Sequence, residues 1–416
     1  MPIAAPVEEL SSVERALVDA VQARIAEEVS ALREVVDIDS GTLNTAGVRE
    51  VGRYFQGELE RLGFRTRWAS MPEEVHRAGH LIAERVTPGG RGKRVLLIGH
   101  LDTVYEGKGH RFERVGDIAR GAGTNDMKGG DIAILYALKA LGEARLLDGG
   151  TVRVFFTGDE ESPGLPTSIS RKNLAEVAQQ SDVVFSFEPD SGKLVIGRRG
   201  LSTWSLQVSG LQGHSATVLR PKGGAGAVYE AARILDEFRR GYSGHPSITV
   251  NPGLVLGGTE VSYEQSRSAG NAAGKFNVVA RSAMVRGDVR FLNDAEREGA
   301  KERMRQIAAT NLPKTTAKLD FEDIAPGWPA RDSNKALLAD VDAVSRALGM
   351  GPVEADDPVS RGFGDVNFVG PVASVDGLGV RGEGFHSPDE NIDLSSLGPS
   401  TSRAAILVYR MLRQLG

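Results

Sequence analysis

The chain has 416 residues, of which 40% are hydrophobic and 25% charged, and its formal net charge is −5 at pH 7. This composition is typical of a globular protein of one to three domains, and the negative charge argues against nucleic acid or an anionic membrane as the main partner. The chain contains no cysteine, which excludes disulfides, thiolate metal sites and cysteine nucleophiles. Any metal site must therefore use histidine, aspartate and glutamate ligands.

The first residues, MPIAAPVEEL, have neither the basic nor the apolar segment of a secretory signal peptide. No apolar run in the chain approaches the roughly 18–20 residues that a membrane-spanning helix needs. The sequence therefore predicts a soluble, cytoplasmic protein with no membrane partner.

The N-terminal part of the chain has the pattern of an α/β domain. Ser11 and Glu14 have the spacing of a capping box, and apolar residues recur at helical spacing up to Val36, which predicts a first helix. A second amphipathic helix is predicted over residues 47–62. Short apolar runs predict buried strands at 94–98, 152–156 and 182–187, with a helix at about 129–143. This alternation indicates a mostly parallel sheet.

The middle of the chain has a different pattern, which begins with a half-exposed strand at 201–209. The further predicted elements are helices at 224–240 and 294–311 and strands at 247–257, 276–291 and 315–322. Their order, β-α-β-β-α-β, is that of a compact α+β domain, and the α/β pattern returns after about residue 325. We therefore predict an α/β catalytic domain, residues 1–199 and 318–416, with an α+β domain inserted over 200–317.

Acidic residues and histidines stand where predicted strands end or a helix begins, and one histidine lies in a Gly-rich loop near the C-terminus. They are His100, Asp102, Asp126, Glu160, Glu161, Glu188 and His386. Each of them has an ordinary structural explanation, but together they are expected to converge, because ligands gather at the carboxyl ends of strands in such sheets. A zinc pair needs ligands for each ion and one shared carboxylate.

The ligands for such a pair can be assigned from the residues themselves. His100 and His386 can each serve one ion, Glu161 and Glu188 can each serve one ion, and Asp126 can bridge the two. Glu160 is then left as the general base for the attacking water, and Asp102 can orient the imidazole of His100. Four other histidines lack acidic partners at informative spacing and are predicted to lie at the surface: His76, His80, His110 and His245.

These motifs, taken in order, resemble those of the M20 family of metallopeptidases, and in particular its glutamate carboxypeptidase, or carboxypeptidase G2, branch. The resemblance extends over nearly the whole chain and rests on Asp39-Ser-Gly-Thr42, His100–Tyr105, Gly123–Gly130, Asp159-Glu-Glu161, Ser186–Pro189, Gly213-His-Ser-Ala216, Asp288-Val-Arg290 and Phe385-His-Ser387. Each motif alone is weak, whereas the ordered set is specific.

The resemblance implies the same site in more detail. One metal is held by His100, Asp126 and Glu188, and the other by Asp126, Glu161 and His386. Glu160 matches the general base of the family, and Asp102 matches the aspartate that supports the metal-bound histidine. The family also implies a cis peptide bond between Asp126 and Met127.

The resemblance also assigns a role to the inserted domain, as a lid and the interface of a homodimer. His214 matches a lid histidine that stabilises the oxyanion in the partner subunit's active site. Asn277 and Arg290 match lid residues that bind the substrate carboxylate. The alternative for His214 is a purely structural role. The alternative for Arg290 is a place in a surface strand pair.

The predicted function is hydrolysis of an amide or peptide bond beside a free carboxylate, with release of a C-terminal amino acid from a peptide or an N-acyl amino acid. The cofactors are two divalent metal ions, with zinc preferred over cobalt or manganese. The alternative is an aminoacylase, dipeptidase or biosynthetic deacylase of the same family. A third hypothesis, a non-catalytic binding protein, is disfavoured by the intact ligand set. Departures from the family pattern at 162–166, 326–329 and 361–365 leave a glutamate preference open.

Overall fold

The computed structural model describes residues 9–107 and 110–415, which divide into two compact units. The first unit runs to Gly197 and resumes over Ala330–Ser360 and from Gly364, and the second comprises Arg198–Pro329 and Arg361–Phe363. Each unit has its own hydrophobic core. Most of the segment MPIAAPVEEL, on which the prediction about a signal peptide rests, lies outside the described residues.

The elements follow in chain order. The first part of the first unit contains α1 (Ser12–Gln22), α2 (Ile25–Val36), α3 (Thr45–Arg61), β1 (Arg65–Ala69), β2 (His80–Val86), β3 (Arg94–His100), β4 (Glu113–Val115), β5 (Ile118–Arg120), α4 (Lys128–Glu143), β6 (Thr151–Thr157), α5 (Thr167–Ser170), α6 (Lys172–Gln179) and β7 (Val183–Ser186). The second unit contains β8 (Gly200–Gly210), α7 (Ala227–Tyr242), β9 (Thr249–Gly258), β10 (Glu260–Glu264), β11 (Ala269–Ala273), β12 (Ser282–Phe291), α8 (Asp294–Ala309) and β13 (Thr315–Ala325). The rest of the first unit contains α9 (Asp332–Ala347), β14 (Ala373–Val375), β15 (Gly382–Glu383), β16 (Asn391–Asp393) and α10 (Leu397–Met411).

The central sheet of the first unit has six strands in the order β1-β2-β6-β3-β7-β14. The pairs β6–β3, β3–β7 and β7–β14 are parallel, whereas the pairs β1–β2 and β2–β6 at one edge are antiparallel. Every residue of β6 is buried, as expected for a strand of a sheet that is covered on both faces. This architecture confirms the predicted mostly parallel α/β sheet.

The register of the sheet brings three strand ends to one edge. His100 at the end of β3 lies opposite Thr157 at the end of β6, and Ile98 lies opposite Ser186 at the end of β7. The loops after these strands carry the predicted ligands. A separate antiparallel sheet, β15-β16-β5-β4, holds the C-terminal segment against residues 118–120, just before the Asp126 loop.

The second unit is built on the antiparallel sheet β13-β8-β12-β9 with helices α7 and α8. Alternate residues of β8 are buried from Gly200 to Val208, among them Trp204 and Leu206, which confirms the predicted half-exposed strand. The β10–β11 hairpin was not expected from the sequence, and β12 begins at Ser282 instead of residue 276.

One predicted domain boundary needs correction. A boundary at residue 318 would cut β13, whose pairing with β8 continues to Ala325 opposite Leu201. Arg198 and Trp328 then form a further bridge within the second unit. The second unit therefore extends to Pro329.

The first predicted helix is two helices. The Ser11–Glu14 capping box is present, but the helical run is interrupted between α1 and α2 at Ala23 and Arg24. Neither residue is a glycine or a proline, so the break has no local sequence signal. Within the described residues, no helix is both long and apolar enough to cross a membrane.

Candidate metal centre

The carboxylate of Asp126 lies between two histidines. Its Oδ1 is 3.2 Å from Nε2 of His100, and its Oδ2 is 3.1 Å from Nε2 of His386. Asp126 is 6% exposed and precedes α4, and its peptide bond to Met127 is cis, as the resemblance implied. Because its two oxygens face two different imidazoles, one carboxylate can serve two cations at once.

Further carboxylates complete two groups of donors. Glu161 Oε2 lies 3.0 Å from His386 Nε2, and Glu188 Oε1 lies 3.9 Å from His100 Nε2. Zinc bonds of about 2.0–2.2 Å in tetrahedral geometry place neighbouring ligand atoms about 3.3–3.6 Å apart. The spacing of these donors is therefore suited to a small divalent cation.

Glu160 belongs to the same cluster. Atoms of His100, Glu160 and Glu188 lie within 4.8 Å of one another, and so do atoms of His100, Asp126 and Glu161. Distance alone therefore does not distinguish a ligand role from a base role for Glu160.

The donor set also fits a cation by its charge. Asp126, Glu160, Glu161 and Glu188 place four carboxylates around two imidazoles. Among the described residues, buried Oε1 of Glu161 has no hydrogen-bond partner. An unpaired buried carboxylate oxygen is costly unless a cation or a donor reaches it, and a divalent cation beside Glu161 would satisfy this oxygen.

The pKa values of the two histidines reflect this surplus of negative charge. Hydrogen bonds with Asp126 and then Glu161 raise the pKa of His386 to about 10. Burial lowers the pKa of His100, but its contacts with Asp102 and Asp126 outweigh burial and raise it well above its usual value. Without a cation, protons on the imidazoles therefore offset part of the negative charge.

The pKa values of the carboxylates are shifted in different directions. Burial raises the pKa of Glu161 to about 7, although the hydrogen bond with His386 opposes this effect. Burial and then the charge of Glu188 raise the pKa of Glu160 well above its usual value. Burial also disfavours the ionised form of Asp126, but hydrogen bonds with both histidines lower its pKa overall.

Asp102 connects several parts of the cluster. Its backbone carbonyl is the nearest acceptor for Nδ1 of His100, at 3.0 Å, whereas its Oδ1 is 3.5 Å away. Its carboxylate accepts the backbone N–H groups of Glu160 and Glu161 at 3.0 and 3.1 Å, and the hydroxyl of Thr42 at 2.6 Å. Asp102 thus orients the imidazole of His100 mainly through its backbone, and its side chain holds the acidic pair.

A buried arginine braces the loop that carries the acidic pair. Nη1 of Arg171 is 2.7 Å from Oδ1 of Asp159, and its Nε is 2.8 Å from Oδ1 of Asp365. The second oxygen of Asp159 accepts the backbone N–H of Gly164 at 2.8 Å. All three charged side chains are almost completely buried.

One of the predicted surface histidines is in fact buried. His80 is 0% exposed, its Nε2 lies 2.7 Å from the carbonyl of Ser170, and its Nδ1 accepts the N–H of Gly158 at 3.2 Å. The prediction was wrong because the ring satisfies both nitrogens on backbone groups, which leave no sequence signal. His76, His110 and His245 are exposed, as predicted.

The remaining predicted site residues lie in the second unit. His214 is exposed and pairs with Val278 through its backbone, and the N–H of Ser215 donates to the carbonyl of Asn277 at 3.0 Å. Nδ1 of His214 accepts the N–H of Ala216, so Nε2 is the nitrogen available to a ligand. His214 and Asn277 therefore lie on adjacent segments.

Arg290 lies on β12, and its Nε donates to Oδ2 of Asp288 at 3.1 Å. About a third of its side chain is exposed, at 32%. This contact lies within one strand, and the exposed part of the guanidinium leaves donors for a ligand.

Residues 96–410 match the model of Peptidase family M20/M25/M40. The chain belongs to the M20 family of metallopeptidases. Carboxypeptidase G2 of Pseudomonas sp. (strain RS-16) is 28% identical over 405 residues, covering 93% of this chain and 89% of the relative. A succinyl-diaminopimelate desuccinylase of Methylobacterium radiotolerans is 29% identical over 328 residues, covering 74% of this chain and 79% of the relative.

The fold of this M20 metallopeptidase is shared with solved structures. Aminopeptidase PepT of Bacillus cereus superposes with a TM-score of 0.75 at 19% identity, over 94% of this chain and 99% of the PepT chain. Family membership makes the protein a metal-dependent hydrolase of peptide or related amide bonds, and the cluster around Asp126 is its candidate metal centre.

The sequence assigned no role to three residues that support this centre in the M20 metallopeptidase, through Asp102, through Asp159 and through the backbone of Asp126. Thr42 lies in a recognised motif, and Arg171 and Glu390 lie outside the assigned set. Glu390 follows His386 by four residues, and this proximity was the one available signal for it.

Proposed function

We propose that this M20 metallopeptidase binds two divalent cations around Asp126 and hydrolyses an amide bond beside a free carboxylate. The observation that supports the proposal is the position of Asp126, whose two oxygens face His100 and His386 separately. One cation site comprises His100, Asp126 and Glu188, and the other comprises Asp126, Glu161 and His386. Zinc is the proposed metal because imidazole and carboxylate are among its usual ligands, with cobalt or manganese as alternatives.

Bound cations of this kind polarise a scissile carbonyl and lower the pKa of water. Glu160 is the proposed general base, because the two cation sites are complete without it and it lies among their donors. It takes a proton from the attacking water and delivers it to the leaving amine. Asp102 holds Glu160 and Glu161 in place through their backbone N–H groups.

The second unit is proposed to act as the lid and as the interface of a homodimer. In the family pattern, His214 stabilises the oxyanion in the partner subunit's active site, and Asn277 and Arg290 bind the substrate carboxylate. A guanidinium suits this task because it can bind a carboxylate with two parallel hydrogen bonds. The available Nε2 of His214 is compatible with this role.

The proposed reaction is that of a carboxypeptidase, which releases a C-terminal amino acid from a peptide or an N-acyl amino acid. The similarity to carboxypeptidase G2, which covers 93% of the chain, supports this choice. Removal of a succinyl group from an amine is the second candidate, because the desuccinylases match over most of the chain as well.

A substrate screen with zinc-loaded protein tests the proposal. Dipeptides and N-acyl amino acids with a free C-terminal carboxylate are compared with their C-terminal amides and with N-succinyl amines, and the released amine is measured. We expect turnover of the free acids and little turnover of the amides. Equal turnover of acids and amides would contradict recognition of the carboxylate, and turnover confined to N-succinyl amines would favour the second candidate.

A further inference from the structure

Glu390 is a buried carboxylate that binds the backbone just before the proposed bridging ligand. It is 3% exposed. Its Oε2 accepts the N–H of Gly123 at 3.1 Å, and its Oε1 accepts the N–H groups of Asn125 and Asp126 at 2.9 and 3.0 Å. Charge-assisted hydrogen bonds of this kind are strong and offset the cost of burying a carboxylate. The side chain of Glu390 therefore fixes the backbone of Asp126 and of the residues just before it.

The loop between β15 and β16 contains both Glu390 and His386. Between β15 and β16 the chain makes a tight turn, in which Ser387 donates its N–H to the carbonyl of Gly384 at 3.0 Å and Glu390 donates its N–H to the carbonyl of Ser387 at 3.1 Å. The hydroxyl of Tyr105 donates to the same carbonyl of Ser387. These bonds fix His386 relative to Glu390.

His386 needs such support more than the other proposed ligands do. Its side chain is 54% exposed, whereas that of Asp126 is 8% exposed and that of Glu161 is 4% exposed. Apart from the contacts of its Nε2 with Asp126 and Glu161, His386 is largely open to solvent, so the position of its backbone depends on the hydrogen bonds of its loop.

We propose that Glu390 is a positioning residue that sets the distance between Asp126 and His386, and so the geometry of the second cation site. This inference rests on the proposed two-cation function. Glu390 holds the backbone N–H of Asp126 directly and belongs to the same turn as His386. Loss of its carboxylate would let the two ligands move independently, although neither ligand would itself be changed.

The test compares Glu390→Gln with the full-length wild type. Glutamine keeps the size of the side chain, but one of its two acceptors becomes an NH₂ group that faces a backbone N–H. Glu383→Gln is the matched control, because Glu383 is an exposed carboxylate at the end of β15, directly before this loop. Zinc affinity is measured on metal-free protein against a chromophoric chelator, and the absorption spectrum of bound Co²⁺ reports the coordination geometry.

We expect Glu390→Gln to bind one of two zinc ions about 10–100-fold more weakly, as is typical when a residue that supports a ligand is lost. The Co²⁺ spectrum should change, and amide exchange at Asn125 and Asp126 should accelerate, whereas Glu383→Gln should match the wild type in all three measurements. Wild-type affinity and an unchanged Co²⁺ spectrum in Glu390→Gln would overturn the proposal.

Folding of each variant is checked by circular dichroism of the metal-free protein. If Glu390→Gln does not fold, Glu390→Asp replaces it, since aspartate keeps the charge but is too short to bind all three N–H groups. Failure of both variants to fold would show that Glu390 serves the fold itself and would overturn the proposal. If the wild type does not bind two ions, the proposed function fails and this inference fails with it. If the wild type and Glu390→Gln both bind two ions equally well, this inference alone fails.

Discussion

The carboxylate of Asp102 accepts the backbone N–H of Glu160 at 3.0 Å, so the residue that orients His100 also holds the proposed base. Its second oxygen binds the N–H of Glu161 and the hydroxyl of Thr42. A change in the Asp102 side chain is therefore expected to affect the proposed ligand Glu161 and the proposed base Glu160 together.

Asp102→Asn is expected to lower kcat by about 10–100-fold, because one of its two acceptors becomes a donor facing a backbone N–H. Thr42→Val removes a single hydrogen bond to the same carboxylate. It should lower kcat only about fivefold, which corresponds to about 1 kcal/mol. Steady-state kinetics together with metal analysis check both variants. An Asp102→Asn enzyme with wild-type kcat would show that the side chain does not position the acidic pair.

Glu160 and Glu161 are adjacent in sequence but are expected to respond differently to the same substitution. Glu160→Gln should keep two bound metals and lose about 10²–10⁴-fold in kcat, as for loss of a general base. Glu161→Gln should lose one of the two metals. Metal analysis by mass spectrometry and kinetics separate the two roles, and loss of metal in Glu160→Gln would make Glu160 a ligand.

Asp126→Ala is expected to weaken both metal sites, because the substitution removes both bridging oxygens. Activity should fall with metal content and should not recover with excess zinc. Full activity and two bound metals in this variant would contradict the two-metal mechanism.

Metal binding is expected to depend on pH through His386. The pKa of this group is raised from 6.5 to about 10 in the metal-free chain, so its imidazole is protonated at pH 7 and must lose a proton to bind a metal. Zinc affinity should therefore rise with pH up to about 10. Calorimetry in buffers of different ionisation enthalpy should detect proton release, and binding without proton release at pH 7 would contradict the prediction.

The same shift has a consequence for stability. Because the folded-state pKa of His386 is raised, its stabilising contribution to the metal-free chain is fully present below pH 6.5 and is lost as the pH rises through about 10. The Tm of the metal-free protein should therefore fall as the pH rises through this range. The fall should be smaller in His386→Ala.

Arg171→Met is expected to destabilise the fold by about 3–5 kcal/mol, because it leaves Asp159 and Asp365 as buried charges without their cation. The neighbouring Lys172 has a side chain that is 69% exposed. Lys172→Met is therefore the matched control and should change stability by less than about 0.5 kcal/mol. Equal effects of the two substitutions in urea unfolding would contradict the role of Arg171.

The part of the site that could be predicted from the sequence consists of residues in short local patterns. His100, Asp126, Glu161 and Glu188 stand beside strand ends or a helix start, and those positions follow from apolar runs that a buried sheet requires. The contact of Glu390 with Asp126 spans 264 residues, and no local rule connects two such positions.

Other features were missed for comparable reasons. The break at Arg24 has no glycine or proline, and His80 is satisfied by backbone groups of distant residues. The β10–β11 hairpin has a short, polar pattern that resembles a loop. For His80 the burial depends on contacts with distant segments rather than on the local composition.

The pairing of β16 with β5 has a consequence for the order in which the protein is made. His100, Asp126, Glu161 and Glu188 all precede the second unit in the chain, whereas His386 and Glu390 follow it. A growing chain on the ribosome therefore contains the acidic cluster long before it contains His386, the proposed ligand of the second cation. The hydrolase should remain inert throughout synthesis of the second unit, and it becomes competent only when that last strand has docked.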